Sequence, residues 1–291
     1  MSIIPAADAA PPAGQRAAVA PLWRRALGTP ALVVGAIIVL GVVAVALLAP
    51  VLAPHDPRAQ DLLNGLQGPS AAHPLGTDQL GRDLLSRLLF AARTDLRVAL
   101  TAVIAPVLIG TLVGTVSGYV GGGFDWVISR ITDTVVAFPF YVIIIAVVFA
   151  VGAGETGIYV AFALVGWVSY ARVIRATTVV ARDSEWAVAA RGGGLGHPRV
   201  LLGHVLPNTV TQAVVLLMSD IVFVMVAIVT LSYLGLGIQP PTPDWGSMIN
   251  DGQAFVATKW WLSAVPGLCV VVTGIGFSLL GDGIADLGRR R

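Results

Sequence analysis

Apolar residues run along this chain in long blocks rather than in alternation with polar ones. Ala31 to Ala53 is almost unbroken Ala, Val, Leu and Ile, enough to cross a hydrocarbon core of about 30 Å. Similar blocks recur over about 98–119, 135–153, 156–177, 209–237 and 261–282. A surface helix in water carries one apolar stripe, and these blocks are apolar all round. The pattern therefore predicts an all-α, polytopic membrane protein of about six spans. Pro106 lies inside the second block and Pro139 opens the third, so local kinks are expected there.

The polar stretches divide the chain. Residues 1–29 read as an Ala/Pro-rich tail, 30–53 as the first transmembrane helix and 54–97 as a polar segment outside the bilayer. Residues 98–284 read as a five-helix core interrupted by a polar loop at 182–208, and 285–291 as a short tail. A cleaved leader competes for the first block, because Arg16, Arg24 and Arg25 precede it. The block is longer than a leader core and no small-residue cleavage site closes it, which favours an uncleaved anchor.

Composition narrows the function classes. Apolar residues make up 56% of the chain and charged ones 12%, with a mean hydropathy of +0.84, so most of the surface faces lipid rather than water. The net charge of +2 is spread over loops, and no nucleic-acid partner is expected. Cys269 is the sole cysteine, which excludes an internal disulfide or a cysteine metal cage. His55, His73, His197 and His204 show no HxxxH or HExxH spacing, so no metal site is expected. An intramembrane hydrolase would need an activated nucleophile or paired acids. No G-x-S-x-G occurs, and Asp220 has no second mid-membrane acid beside it. The glycines at 121–123 and 192–194 lack the lysine of a phosphate loop, so the chain is not expected to bind ATP. An ion-coupled secondary transporter fits the composition, but there is no obvious inverted repeat and few intramembrane ionisable residues.

Orientation follows from the basic residues. With the N-terminus inside, Arg16, Arg24, Arg25, Arg130, Arg172, Arg175, Arg182, Arg191, Arg199, Arg289, Arg290 and Arg291 fall on the inner side. Arg58, Arg82, Arg87, Arg93, Arg97 and Lys259 fall outside. Twelve against six predicts both termini in the cytoplasm of a cell-membrane protein.

The loop at 182–208 is then cytoplasmic. A helix from about Ser184 to Arg191 is expected, with Asp183 or Ser184 as its cap and Glu185 in its first turn. Gly192, Gly193 and Gly194 stop it, Pro198 opens a second short helix, and Pro207 with Asn208 marks the return to the bilayer. Such a helix–glycine–helix element can dock as a knob in a partner's groove.

Here the sequence resembles the permeases of ATP-binding-cassette importers. Ala189-Ala190, three residues, Gly194 and then Leu206-Pro207 are similar to the cytoplasmic "EAA" loop of that family. Val188 stands where the family carries its leading glutamate, and Glu185, one turn back, is the candidate substitute. The resemblance is closest to the dipeptide/oligopeptide (peptide/nickel) subgroup. It is carried by His73-Pro74-Leu75-Gly76-Thr77-Asp78, Gly81-Arg82-Asp83 and Ser86-Arg87. Leu234 to Gly237, Gln239-Pro240-Pro241, Asp244-Trp245-Gly246, His204 to Asn208 and Gly281-Asp282-Gly283 add to it in the right order. The resemblance implies a type I importer permease fold and no enzyme activity of its own. It implies that Glu185, Val188, Ala189, Ala190, Arg191, Gly194, Leu206 and Pro207 form the ATPase-coupling loop. It also implies a second permease, two ATPase subunits carrying ATP and Mg, and an extracytoplasmic substrate-binding protein. Di- and oligopeptides are the expected cargo, with nickel or another small solute as the alternative.

Three further features stay open at this level. Asp78, Arg82 and Asp83 read either as a docking contact for the binding protein or, preferably, as a cap and salt-bridge set that fixes the chain where it meets the membrane. Pro240, Pro241 and Pro243 stiffen an outer loop in which Trp245 is either part of a docking face or an interfacial anchor. Asp220 sits near the middle of a span which, from Thr209 to Tyr233, is about 37 Å long. It either lines the pathway and meets a peptide's amino group, or bonds a neighbouring span through a serine.

Overall fold

The computed structural model of the protein describes residues 28–289. The tail expected up to residue 29 lies almost wholly outside the described residues, as do Arg290 and Arg291. Among the described residues the fold is helical, with one isolated bridge between Thr77 and Asp83 in place of any sheet.

Helix α1 (Pro30–Leu52) opens with a proline in its first turn, where a missing N–H costs nothing. It is followed by the irregular segment 53–83 and by α2 (Leu84–Ala102) and α3 (Ile104–Val120), which join end to end at Val103. Next come α4 (Gly122–Val136) and α5 (Phe140–Val151), then α6 (Glu155–Val165) and α7 (Trp167–Arg182). The short α8 (Glu185–Gly192) and α9 (His197–Val200) lead through a π turn at Leu201–Val205 into α10 (Leu206–Tyr233). Helices α11 (Trp245–Gln253) and α12 (Trp261–Arg289) complete the fold.

Among the described residues five helical stretches are long and apolar enough to cross a membrane: Pro30–Leu52, Leu84–Val120, Glu155–Arg182, His197–Tyr233 and Trp261–Leu287. The bent pair α4–α5, whose halves meet at 91°, makes a sixth when it crosses as one span. The kink expected at Pro139 is thus a 91° bend, and the span takes in residues 122–136, beyond the block expected over 135–153. Helix α5 alone is twelve residues, about 18 Å at 1.5 Å per residue, and does not cross a bilayer by itself. Pro139 holds the bend, because it cannot continue the hydrogen-bond ladder and pushes the residue before it out of helical geometry.

The polar segment expected to run to residue 97 is also shorter, since α2 begins at Leu84. Asp83 sets that start: its side chain accepts from Ser86 N, capping the helix. The early part of α2 nevertheless belongs with the polar end of the molecule. Asp95 accepts from Trp245 N at 2.9 Å and Arg97 pairs with Glu155. Only beyond Arg97 does the chain become free of such partners and descend towards Val120.

Helix ends sort into two groups by their contacts. At one end His55 N donates to Ser86 Oγ, Arg82 meets Asp251, and Gly154 N donates to Leu236 O. At the other, Arg175 pairs with Asp125, Arg182 donates to Gly118 O and Tyr119 O, and the Tyr119 hydroxyl meets His197. The bent pair thus runs from one end (Asp125) to the other (Gly154), and counts as one crossing.

The tightest pairing is α3 on α7. Gly110, Gly114 and Gly118 repeat every fourth residue, and a Cβ at Gly114 would lie 2.6 Å from Ala171 O. Absent side chains let the two backbones approach, which is how helices pack in lipid. The main core gathers Leu96, Ile144, Phe162, Met225, Ile228 and Trp245 near the junction of α2, α5, α6, α10 and α11. Helix α1 lies at the periphery, packed on α12 and α2, and is the least buried span.

Candidate functional site

The loop between α7 and α10 has the expected helix–corner–helix form. Ser184 is the N-cap of α8, although its hydroxyl donates back to Ala181 O at 2.7 Å rather than forward to the new helix. Glu185 lies in the first turn, where a carboxylate is favoured by the helix dipole. Gly193 ends the helix, and Gly194 takes φ +89°, a conformation that L side chains rarely adopt. Gly196 precedes α9, with Pro198 in its first turn.

The loop is anchored from beneath. Ala187, Val200 and Val205 are fully buried and form a small core with Tyr119, separate from the main one. Arg191 Nη1 donates to Arg182 O at 2.9 Å, and the Arg182 guanidinium in turn caps carbonyls at the end of α3. The Arg182 guanidinium also bonds Asp183 and holds its carboxyl below the usual carboxylate range. The outward face carries Glu185, Ala189, Gly194 and Pro207, with Trp186 at 41% and Val188 at 51% exposed. Ala190, Arg191 and Leu206 are half-buried beneath that face.

Pro207 does not interrupt the chain as the sequence suggests. Helix continues from His197 through Pro207 to Tyr233, 37 residues in all, or about 55 Å. Proline lacks the N–H that would bond the carbonyl of Gly203, and the π turn at Leu201–Val205 absorbs the mismatch. Asn208 Nδ2 donates to His204 O at 2.7 Å. Helix α9, the π turn and the span bearing Asp220 are therefore one continuous helical element, which α8 joins through the corner at 193–196.

Asp220 is half-buried on α10 and accepts from the hydroxyl of Tyr170 on α7 at 2.9 Å. Its partner is a tyrosine rather than the serine the sequence offers. The carboxylate also borders a cavity of about 440 Å³ walled by Phe138, Phe140, Phe162 and Phe223, and a second of about 180 Å³. Asp220 thus bonds a neighbouring span and borders a cavity in one geometry.

The opposite end decides two readings that the sequence left open. Asp78, Arg82 and Asp83 are 5%, 6% and 2% exposed, so they present no docking surface. Instead Arg82 Nε donates to Asp78 at 2.6 Å and Arg82 Nη2 to Asp251 at 3.1 Å. Arg87 lies 3.5 Å from Asp78 and 3.7 Å from Asp251. Trp245 is buried too, which removes it both as a docking residue and as an interfacial anchor. Asp244 caps α11 through Ser247 N, and burial pushes its carboxyl up. Pro240 and Pro241 remain exposed. Sequence alone gives no sign of Asp251 or Tyr170 in these roles, since Asp251 lies 169 residues from Arg82 and Tyr170 sits 50 residues from Asp220.

Residues 110–291 match the family described as the binding-protein-dependent transport system inner membrane component. Residues 20–69 match the N-terminal transmembrane domain of oligopeptide transport permease C. The dipeptide transport system permease protein DppC of Alkalihalophilus pseudofirmus is 34% identical over 97% of this chain and 94% of its own length. The probable D,D-dipeptide transport system permease protein DdpC of Escherichia coli is 36% identical over 89% and 87%. The glutathione transport system permease protein GsiD of Shigella flexneri is 39% identical over 91% and 88%. With its helical spans and the polar loop that joins two of them, the chain belongs to the family of binding-protein-dependent inner-membrane components, the permease subunits of ABC importers.

Proposed function

We propose that this permease carries short peptides across the cell membrane as one half of a two-permease pathway, with the loop at 182–208 as the element that two ATPase subunits drive. The observation that carries the reading is the continuity of α9, the π turn and α10. A force on α9 passes into the span bearing Asp220 along one helix, and α8 is coupled to it through the packing of Ala187 with Val200 and Val205.

ATP and Mg belong to the ATPases in this scheme, and a substrate-binding protein delivers cargo at the far end. Both termini lie in the cytoplasm, following the arginine count. Closure of the ATPases shifts the permease between inward- and outward-facing states only as far as they bind those states differently. At the docking face Val188 offers apolar surface beside Trp186, and Glu185 supplies the carboxylate one turn away.

Short peptides fit the Asp220 surface. A free peptide carries an ammonium for the carboxylate and side chains for the aromatic wall. The relatives named for dipeptides and glutathione point to the same class. A small-solute permease of the same family is the second reading, and it predicts transport indifferent to a blocked amino terminus.

The test is a tagged purification from native membranes in mild detergent. Recovery of an ATPase and a second permease is expected, with the ATPase lost on Ala190→Trp or Gly194→Trp while the second permease stays. A chain that purifies alone and transports without an ATPase overturns the proposal in favour of a secondary transporter.

A further inference from the structure

The segment 53–83 folds two histidines that are distant in sequence onto one buried acid. His73 Nδ1 lies 2.9 Å from Asp83 Oδ1, and His55 Nδ1 lies 3.7 Å from the same oxygen. The two rings are 4.7 Å apart. One nitrogen or oxygen from each of the three residues falls within 4.8 Å of the others.

We propose that His55, His73 and Asp83 bind a divalent transition-metal ion of the zinc class, which clips the end of α1 to the start of α2. A tetrahedral ion with ligands at about 2.0–2.2 Å spaces neighbouring ligand atoms by roughly 3.3–3.6 Å. The observed 2.9 and 3.7 Å straddle that spacing, and small side-chain rotations bring both to it. Two imidazoles and one carboxylate are a donor set suited to Zn, Ni or Cu rather than to Mg or Ca. A hydrogen bond accounts for the approach of His73, whereas the His55 ring rests on His73 with its Nδ1 turned to the same oxygen at 3.7 Å, too long for a hydrogen bond.

The surroundings hold the ligands in place, as second-shell bonds do in metal sites. Asp83 Oδ2 accepts from Ser86 N and Ser86 Oγ, leaving Oδ1 for the ion. His55 N donates to Ser86 Oγ at 3.1 Å, and His73 N to Ser70 Oγ at 3.0 Å. The Asp83 side chain is 1% exposed while that of His55 is 41% exposed, so the ion has a solvent side for loading and for a water ligand. The sequence expectation of no metal site rested on spacing within helices, and this group draws its ligands from a folded loop.

Zn²⁺ itself is the probe. The full chain, with a histidine-free tag and stripped by chelator, is titrated by equilibrium dialysis with metal quantification, and Co²⁺ is used for its visible absorption. One saturable Zn²⁺ per chain and a tetrahedral Co²⁺ spectrum are expected. His55→Gln and His73→Gln each weaken binding by tenfold or more, and His204→Gln leaves it unchanged. His55 is surface-accessible, so its variant is expected to keep the wild-type elution profile and helical circular dichroism even if His73→Gln does not. Absence of saturable binding, or binding that persists in the folded His55→Gln variant with its Co²⁺ spectrum unaltered, overturns the site.

Discussion

At the scale of single residues, charge buried near the membrane finds partners that hydropathy does not reveal. Arg82 lies between Asp78 and Asp251, with all but Asp251 nearly excluded from solvent. Removing Arg82 leaves Arg87 alone, at 3.5 and 3.7 Å, to face both carboxylates, and breaking a buried ionic set in this way costs about 3–5 kcal/mol. Arg82→Met is therefore expected to abolish accumulation of folded permease in membranes, read by quantitative blot and by monodispersity after solubilisation. Asp220 behaves differently, because it has one side on Tyr170 and one on a cavity. Asp220→Asn keeps the hydrogen bond from Tyr170 and loses the charge. Normal assembly with at least tenfold slower uptake of a dipeptide with a free amino terminus is expected, and little change for an N-acetylated one. Equal uptake of both by the variant and the parent would remove Asp220 from the pathway. The acid itself was visible in the sequence as a charge within an apolar block. Its partner was not, because Ser219 sits next to it in the chain whereas Tyr170 reaches it only through the α7–α10 packing.

At the scale of elements, glycine spacing decides which helices touch. The approach of α3 to α7 leaves no room for side chains at Gly110, Gly114 or Gly118. Gly114→Val is expected to lower the thermal midpoint by several degrees, as overpacking costs about 1–3 kcal/mol, whereas Gly41→Val, with open space around it, leaves the midpoint unchanged. A fluorescence-detected melt in detergent compares the two. The blocks for α1, α10 and α12 were legible from composition because each is one long apolar helix. The kink at Pro139 was legible too, but its 91° size and the pairing of α5 with α4 were not, since hydropathy has no term for direction. The start of α2 was missed for a related reason. It carries Arg87 and Asp95, which read as loop until their partners Asp78, Asp251 and Trp245 are in place. The π turn before Pro207 shows the same limit in reverse, as a proline read as a boundary is absorbed into a continuous helix.

For the whole molecule, the two groups of helix ends turn topology into a measurable quantity. An even number of crossings places both termini on one side, and the count is even only when α4–α5 crosses as a pair. The contacts of Asp125 with Arg175 and of Gly154 with Leu236 tie the ends of that pair to opposite ends of the molecule. Gly194 and Pro240 then mark opposite faces, and both are exposed. With Cys269 replaced by alanine, Gly194→Cys and Pro240→Cys give two single-cysteine reporters for a membrane-impermeant maleimide. In intact cells whose outer membrane has been opened, Pro240→Cys is expected to label and Gly194→Cys to label only after the inner membrane is broken. Labelling of Gly194→Cys alone in intact cells would invert the topology and take the docking face away from the ATPases. Labelling of both from one side would mean that α10, the single span between them, does not cross the bilayer. Added ATPase sharpens the first outcome: it should shield Gly194→Cys in broken membranes and leave Pro240→Cys reactive, because the coupling face and the outer loop lie at opposite ends of the α10 helix.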